Sequence, residues 1–419
     1  MVTIRDLQQV MSPTTDLNGV TVWTSIESRE AFYVIWGSRD GGLTLAQFNG
    51  PFGETTVLQR FYDERFSHQR ATKMRYFVET DFMGLVVAYA SPVNPETTTL
   101  AVYHVNRTVF SPKQVLSVKK ADMDLIQDRH LVYLAISDDR NVRVLVWTGT
   151  QFDEVASRAM SGVTSIKIMR ISSDIFIATA QGDSKLPSQS QLLLYKPLDK
   201  RRGELKSHQV LETKFKYDKV SFFAVAGSYY LVYSGSELST VYWWVSDGFL
   251  EFQTLHDSQA AIDVFPMRLI DGEVLLILLF QNRIAFYTQS ADSRFTLVHQ
   301  KLFDSSIRLS GVHVASYAGK FVYAFLAYQQ SVPSAPVMRP IWKIRLIPYY
   351  PVHGSRKEDI LSQCLTQLTA DLVARDTLLR DLARKVDRVW VTSRSQTVTA
   401  PVLVKAVFAS RVWQACAAS

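Results

Sequence analysis

The residues best able to do metal or nucleophilic chemistry are few here. The eight histidines are scattered, with no two at ligand spacing on one local element, and only Cys364 and Cys416 carry thiols. A zinc site needs paired ligands at short fixed spacings and a nucleophile needs a positioned base, so neither chemistry has a local motif to stand on. The chain also lacks a Walker loop, a Gly-x-Ser-x-Gly elbow, a His-Glu-x-x-His run and a Cys-x-x-Cys pair. An enzyme is therefore not expected. Asn106-Arg107-Thr108 is the one Asn-x-Thr acceptor, a candidate glycosylation site. Lys119-Lys120 and Lys200-Arg201-Arg202 are basic pairs and triplets suited to solvated loops.

Composition narrows the class. The 419 residues are 47% hydrophobic and 20% charged, which fits a folded globular chain and excludes disorder or a collagen-like rod. The net charge of +7 is mild, with 10 basic and 6 acidic residues from Ser355 onward. No strongly basic domain emerges, so nucleic acid is not an expected partner. Two cysteines cannot form a disulfide framework. The longest apolar run, Val274 to Phe280, is far short of the roughly 20 residues that span a bilayer, and membrane insertion is not expected. The first thirty residues show no basic start followed by an apolar stretch. A secreted chain would then be part, or one isoform, of a longer precursor with its signal upstream.

The elements that would position any site are written as a repeat. Short apolar runs begin at Phe32, Leu85, Leu131, Ile175, Tyr230, Val274 and Phe321, separated by 53, 46, 44, 55, 44 and 47 residues. Tight-turn pairs precede several of them, as in Gly227-Ser228, Asp271-Gly272 and Ala318-Gly319, so each run reads as the second strand of a hairpin. A third strand follows with an aromatic at a comparable place in six units: Tyr103, Trp147, Tyr195, Trp244, Tyr287 and Trp342. A more polar fourth run comes next, as in Gln114-Val-Leu116, Gln209-Val-Leu211 and Phe252-Gln-Thr-Leu255. A four-stranded sheet of this length cannot bury both faces alone, but seven arranged radially can. The expected fold is all-β, a seven-bladed β-propeller of four-stranded blades over residues 1–352, with the aromatic column serving packing. The seventh unit runs into Pro348 and Pro351, and Thr3 to Val10 has the pattern of an outer strand. The amino terminus is expected to complete the last blade and close the ring.

Beyond the propeller, the apolar period changes. Leu361, Leu365, Leu368, Leu372, Leu379, Leu382, Val386 and Val389 follow alternating steps of four and three, interrupted at Arg375. The spacing predicts an α-helix within residues 353–392, either self-associating through a short coiled coil or docked as an amphipathic helix. Cys364 lies beside that seam and could link two chains. Residues 393–419 read as a short β-rich or loose tail.

The units lack the Gly-His and Trp-Asp signature of WD40 blades and the double glycine of kelch blades. A strand ending Tyr-Leu-Val-Tyr, then Val241-Tyr-Trp-Trp-Val-Ser-Asp-Gly-Phe-Leu-Glu-Phe-Gln253, resembles the epilepsy-associated repeat, also called the epitempin or EPTP repeat. That resemblance implies an extracellular seven-bladed propeller that binds proteins, as in leucine-rich glioma-inactivated proteins and thrombospondin-type laminin G domain and EAR repeat proteins. The implied partner is a receptor or matrix protein. No cofactor is required, but relatives can hold calcium in the propeller channel on aspartates, and Asp263, Asp122, Asp124 and Asp218 are the candidates here. An intracellular propeller scaffold is the alternative.

Overall fold

The computed structural model describes residues 2–9 and 20–348, apart from connecting stretches at 28–30, 50–53, 80–81, 95, 107–108, 120, 129–130, 183–187, 200–201, 214, 226, 236–237, 257–260, 269–273, 290–293, 318–320 and 331–340. The chain divides into two compact units, Met1–Pro348 and Tyr349–Ser419. The second unit, and with it the predicted helix seam from Leu361 to Val389, Cys364 and the β-rich tail, lies outside the described residues.

The described residues form seven antiparallel sheets of four strands. In blades 1 to 6 the strands follow one another outward from the axis in chain order. The innermost strands are Val20–Glu27, Arg70–Val78, Asp122–Asp128, Ser165–Ile171, Tyr217–Val225, Asp263–Arg268 and, in blade 7, Ile307–Tyr317. Each apolar run found in the sequence is a second strand. These strands are buried on both faces, which is why they read as continuous hydrophobic runs rather than alternating ones. All six residues of Val274–Leu279 are buried. The outermost strands have one neighbour and are less buried, as in Phe295–Leu302, where only Phe295 is fully buried. In blades 1 to 6 the ladder between third and fourth strands shifts register once, a bulge that increases local twist in each blade.

Closure is visible in two ways. Val2–Gln9 pairs antiparallel with Ile341–Pro348 and supplies the fourth strand of blade 7, as the amino-terminal pattern predicts. Seven apolar clusters also lie between blades, one for each interface of a closed ring. The cluster between blades 7 and 1 packs Trp23 on Phe325 at 5.3 Å, and the Trp23 indole N–H donates to the Leu326 carbonyl at 3.1 Å. An indole that buries its ring and satisfies its N–H across an interface adds specificity to the packing there.

The aromatic column packs as predicted. Tyr103, Trp147, Tyr195, Tyr287 and Trp342 are buried, and half-buried Trp244 stands 5.0 Å from Phe249. Gly227, in the hairpin before the blade 5 second strand, has φ +83°, the left-handed conformation a tight turn requires of it. The turn pairs at Asp271-Gly272 and Ala318-Gly319 fall outside the described residues.

Candidate functional site in the axial channel

The seven innermost strands enclose a cavity of about 650 Å³. Successive side chains on a strand point to opposite faces, so residues two apart can share one. Lys73 and Arg75 line it from blade 2, Asp124 from blade 3, Lys167 from blade 4 and Lys219 from blade 5, and Asp122, two residues before Asp124, stands behind the lining as the partner of Lys73. The charged groups thus occupy one arc of the wall.

They form a network across three blades. Lys73 Nζ lies 2.7 Å from Asp122 Oδ1, Arg75 Nε lies 2.7 Å from Asp124 Oδ1 and Lys167 Nζ lies 2.9 Å from Asp124 Oδ2. Each carboxylate also accepts a backbone N–H from the next blade: Ile166 to Asp122 Oδ2 at 3.0 Å and Ile168 to Asp124 Oδ2 at 3.2 Å. Burial alone would raise the Asp124 carboxyl, but Lys167, Arg75 and Lys73 outweigh it and hold the group well below the usual carboxylate range. Asp122 is lowered in the same way, burial being overcome by Lys73 and Lys219. For Lys73 the balance goes the other way: burial, helped by repulsion from Arg75 and Lys219, lowers the ammonium despite Asp122.

The opposite arc is largely apolar. Phe265, Pro266 and Val312 line it, and His313 Nε2 meets Ser25 Oγ at 2.7 Å. Burial, reinforced by Arg75, pushes the His313 imidazole down to about 3. A base that weak takes little of a serine proton near neutral pH, so the Ser25–His313 contact reads as a hydrogen bond between blades 1 and 7.

Of the four aspartates singled out for calcium, Asp122 and Asp124 sit together and are committed to Lys73, Arg75 and Lys167. Asp263 lines the cavity from blade 6, its Oδ1 accepting the Val264 N–H at 3.0 Å. Exposed Asp218 lies outside the lining, its carbonyl accepting from Thr164 Oγ1 at 3.1 Å. Calcium takes six to eight oxygen ligands. Among the described residues no group of three or more His, Cys, Asp or Glu is placed to hold a metal ion, and the paired carboxylates do not fit the role. Asn106 is exposed at the end of Thr97–Asn106, where the third strand of blade 2 turns into the fourth.

Sequence reasoning missed the partners Lys73, Arg75 and Lys167, and the lining residues Lys219 and His313. A signal was available: Lys73-x-Arg75 and Asp122-x-Asp124 place paired charges at the start of successive units, where an innermost strand would otherwise be apolar.

No family model matches the chain. Leucine-rich repeat LGI family member 2 of Homo sapiens and of Pan troglodytes are each 27% identical to it over 198 residues, 45% of this chain and 34% of the relative. The Mus musculus protein is 27% identical over 191 residues. Its likeness is to the epilepsy-associated-repeat propellers. The chain spans about a third of the length of the LGI proteins it matches. Among solved structures, the C-terminal WD40 domain of Sif2 is 11% identical with a TM-score of 0.48, over 77% of this chain and 80% of that one.

Proposed function

We propose that the chain is a non-enzymatic, extracellular protein-interaction module that engages a receptor or matrix protein through the channel mouth or the loops around it. The similarity to LGI family member 2 carries this reading, supported by a ring in which Asp122 and Asp124 are held in ion pairs with Lys73, Arg75 and Lys167 rather than poised for catalysis. Exposure of Asn106 suits a glycan on the blade 2 hairpin. The predicted seam from Leu361 to Val389 would add valency and so raise avidity. Among the described residues no helix is long and apolar enough to cross a membrane.

The test is expression of the full chain behind a secretion signal, followed by screening against a library of receptor ectodomains and matrix proteins. The expected result is a folded secreted protein, shifted by N-glycosidase through Asn106, that binds a small set of library members saturably. Retention inside the cell with no library binding would favour the intracellular scaffold. Turnover of a substrate would overturn the non-enzymatic reading.

A further inference from the structure

The carboxylates a dication would need are already used, and that leaves the channel with the opposite preference. Lys73, Arg75 and Lys167 bring three positive charges to Asp122 and Asp124, so the network retains one. Lys219 lines the same cavity from the neighbouring blade and, among the described residues, makes no hydrogen bond or ion pair, although it lies near enough to Asp122 and Lys73 to act on both. Asp263 is the remaining carboxylate of the lining. Counting Asp122, which pairs with Lys73 behind the lining, four cations therefore meet three carboxylates.

An incoming dication would add to this surplus and find Asp263 as the one carboxylate not already bound to a lysine or arginine. An incoming carboxylate would bring this set of charges to neutrality, find the Lys219 ammonium available, and relieve the repulsion that Lys73 feels from Arg75 and Lys219. A channel with low-dielectric walls strengthens that attraction. The arc carrying Phe265, Pro266 and Val312 offers an apolar surface beside the charge, and a cavity of about 650 Å³ falls within the range of small-ligand sites. We propose that the channel is a carboxylate site, taking an anionic headgroup on Lys219 and an attached aliphatic body along Phe265 and Val312. The inference deepens the protein-interaction reading and rests on it for the ligand's source, an acidic side chain flanked by apolar residues on the partner.

The experiment uses the full chain with sodium hexanoate, hexylammonium chloride and calcium chloride as separate probes, read by thermal unfolding and calorimetric titration. Hexanoate should raise Tm and bind with measurable heat, whereas hexylammonium and calcium should do neither. Lys219→Met should abolish the hexanoate shift. Asp263→Asn, which removes a repelling carboxylate, should tighten hexanoate binding several-fold. Stabilisation by calcium that Asp263→Asn removes, or a hexanoate shift surviving Lys219→Met, would overturn the proposal. Two amidated peptides, Leu-Glu-Leu and Leu-Gln-Leu between capping alanines, identify the source. Selective binding of the glutamate peptide places the carboxylate on a protein, and binding of hexanoate alone places it on a free amphiphile. If Lys219→Met retains every library partner of the unmodified chain, the interaction reading stands and a partner-borne carboxylate at Lys219 is excluded.

Discussion

Gln114 grips the backbone of Phe152 in the next blade at two points. Its side-chain N–H donates to the Phe152 carbonyl at 3.0 Å and its side-chain oxygen accepts the Phe152 N–H at 2.8 Å. The same clasp joins Gln209 to Phe249, at 2.7 and 2.8 Å, and Gln253 to Phe295, at 2.8 Å in both bonds. Outermost strands have unpaired backbone groups on their free edge, and these glutamines satisfy some of them from the neighbouring blade. The recurring Gln in the fourth runs therefore links adjacent sheets at their outer rim.

Removing one clasp leaves a backbone donor and acceptor wanting partners. Gln253→Leu should lower the stability of the ring by about 1–3 kcal/mol, read by chemical denaturation. Gln253→Glu keeps the acceptor for the Phe295 N–H but sets a carboxylate against its carbonyl. That variant should recover stability as pH falls and the new side chain gains a proton. Equal loss at all pH values would count against the two-point bond.

Asp124 ties blades 2, 3 and 4 through Arg75, Lys167 and the Ile168 N–H. Asp124→Ala would leave two cations without their counter-charge and should cost about 3–5 kcal/mol. Because folded Asp124 and Asp122 titrate below the ordinary carboxylate value of 3.8, their contribution is complete above about pH 4 and is lost as pH falls further through the folded values. Acid denaturation of Asp124→Asn should show a shallower limb below pH 4 than that of the unmodified chain. An unchanged limb would remove Asp124 from the account.

His313 works in a different pH window. Its folded value near 3, against 6.5 for an ordinary imidazole, means that the unfolded chain takes the proton first as pH falls. Stability should decline between about pH 6.5 and 3 by up to about 1.4 kcal/mol per pH unit. His313→Asn should flatten this part of the profile while leaving the steeper aspartate limb below it. A histidine NMR titration with its midpoint above 6 would contradict the buried neutral imidazole.

Gly84 is the second residue of Met83–Ala90, the second strand of blade 2, and a Cβ there would overlap the Phe77 ring. Phe77 is held by Trp147 at 5.1 Å and Phe152 at 5.7 Å, so it has little room to retreat. Gly84→Ala should destabilise by about 1–3 kcal/mol, and the double variant Gly84→Ala with Phe77→Leu should recover part of the loss.

Periodicity revealed the ring because it is written locally. A second strand such as Val274–Leu279 is buried on both faces, and its apolar run appears in six consecutive residues. The closing strand was legible from Thr3 to Val10 because an outer strand has one repeating form. The channel network was not, because Arg75 and Asp124 lie 49 residues apart and meet only when two blades stand side by side. The glutamine clasps had an intermediate status. Their positions recur visibly in the Gln-Val-Leu and Gln-Thr-Leu runs, but each partner is a backbone group some 40 residues away, which side-chain patterns do not mark. Asp122 and Asp124 looked like free oxygen donors for the same reason: their cations lie on other repeats.

The first and last strands of the propeller meet in blade 7, and that junction can be measured directly. Leu7 is the register partner of Ile344. With Cys364 and Cys416 replaced by serine, Leu7→Cys with Ile344→Cys should form a disulfide in mild oxidant, detected as one linked peptide by mass spectrometry, and should raise Tm. The slipped pair Leu7→Cys with Leu346→Cys should remain largely reduced under the same conditions. No crosslink in the first pair, or equal crosslinking in both, would contradict a ring closed by Val2–Gln9 on Ile341–Pro348.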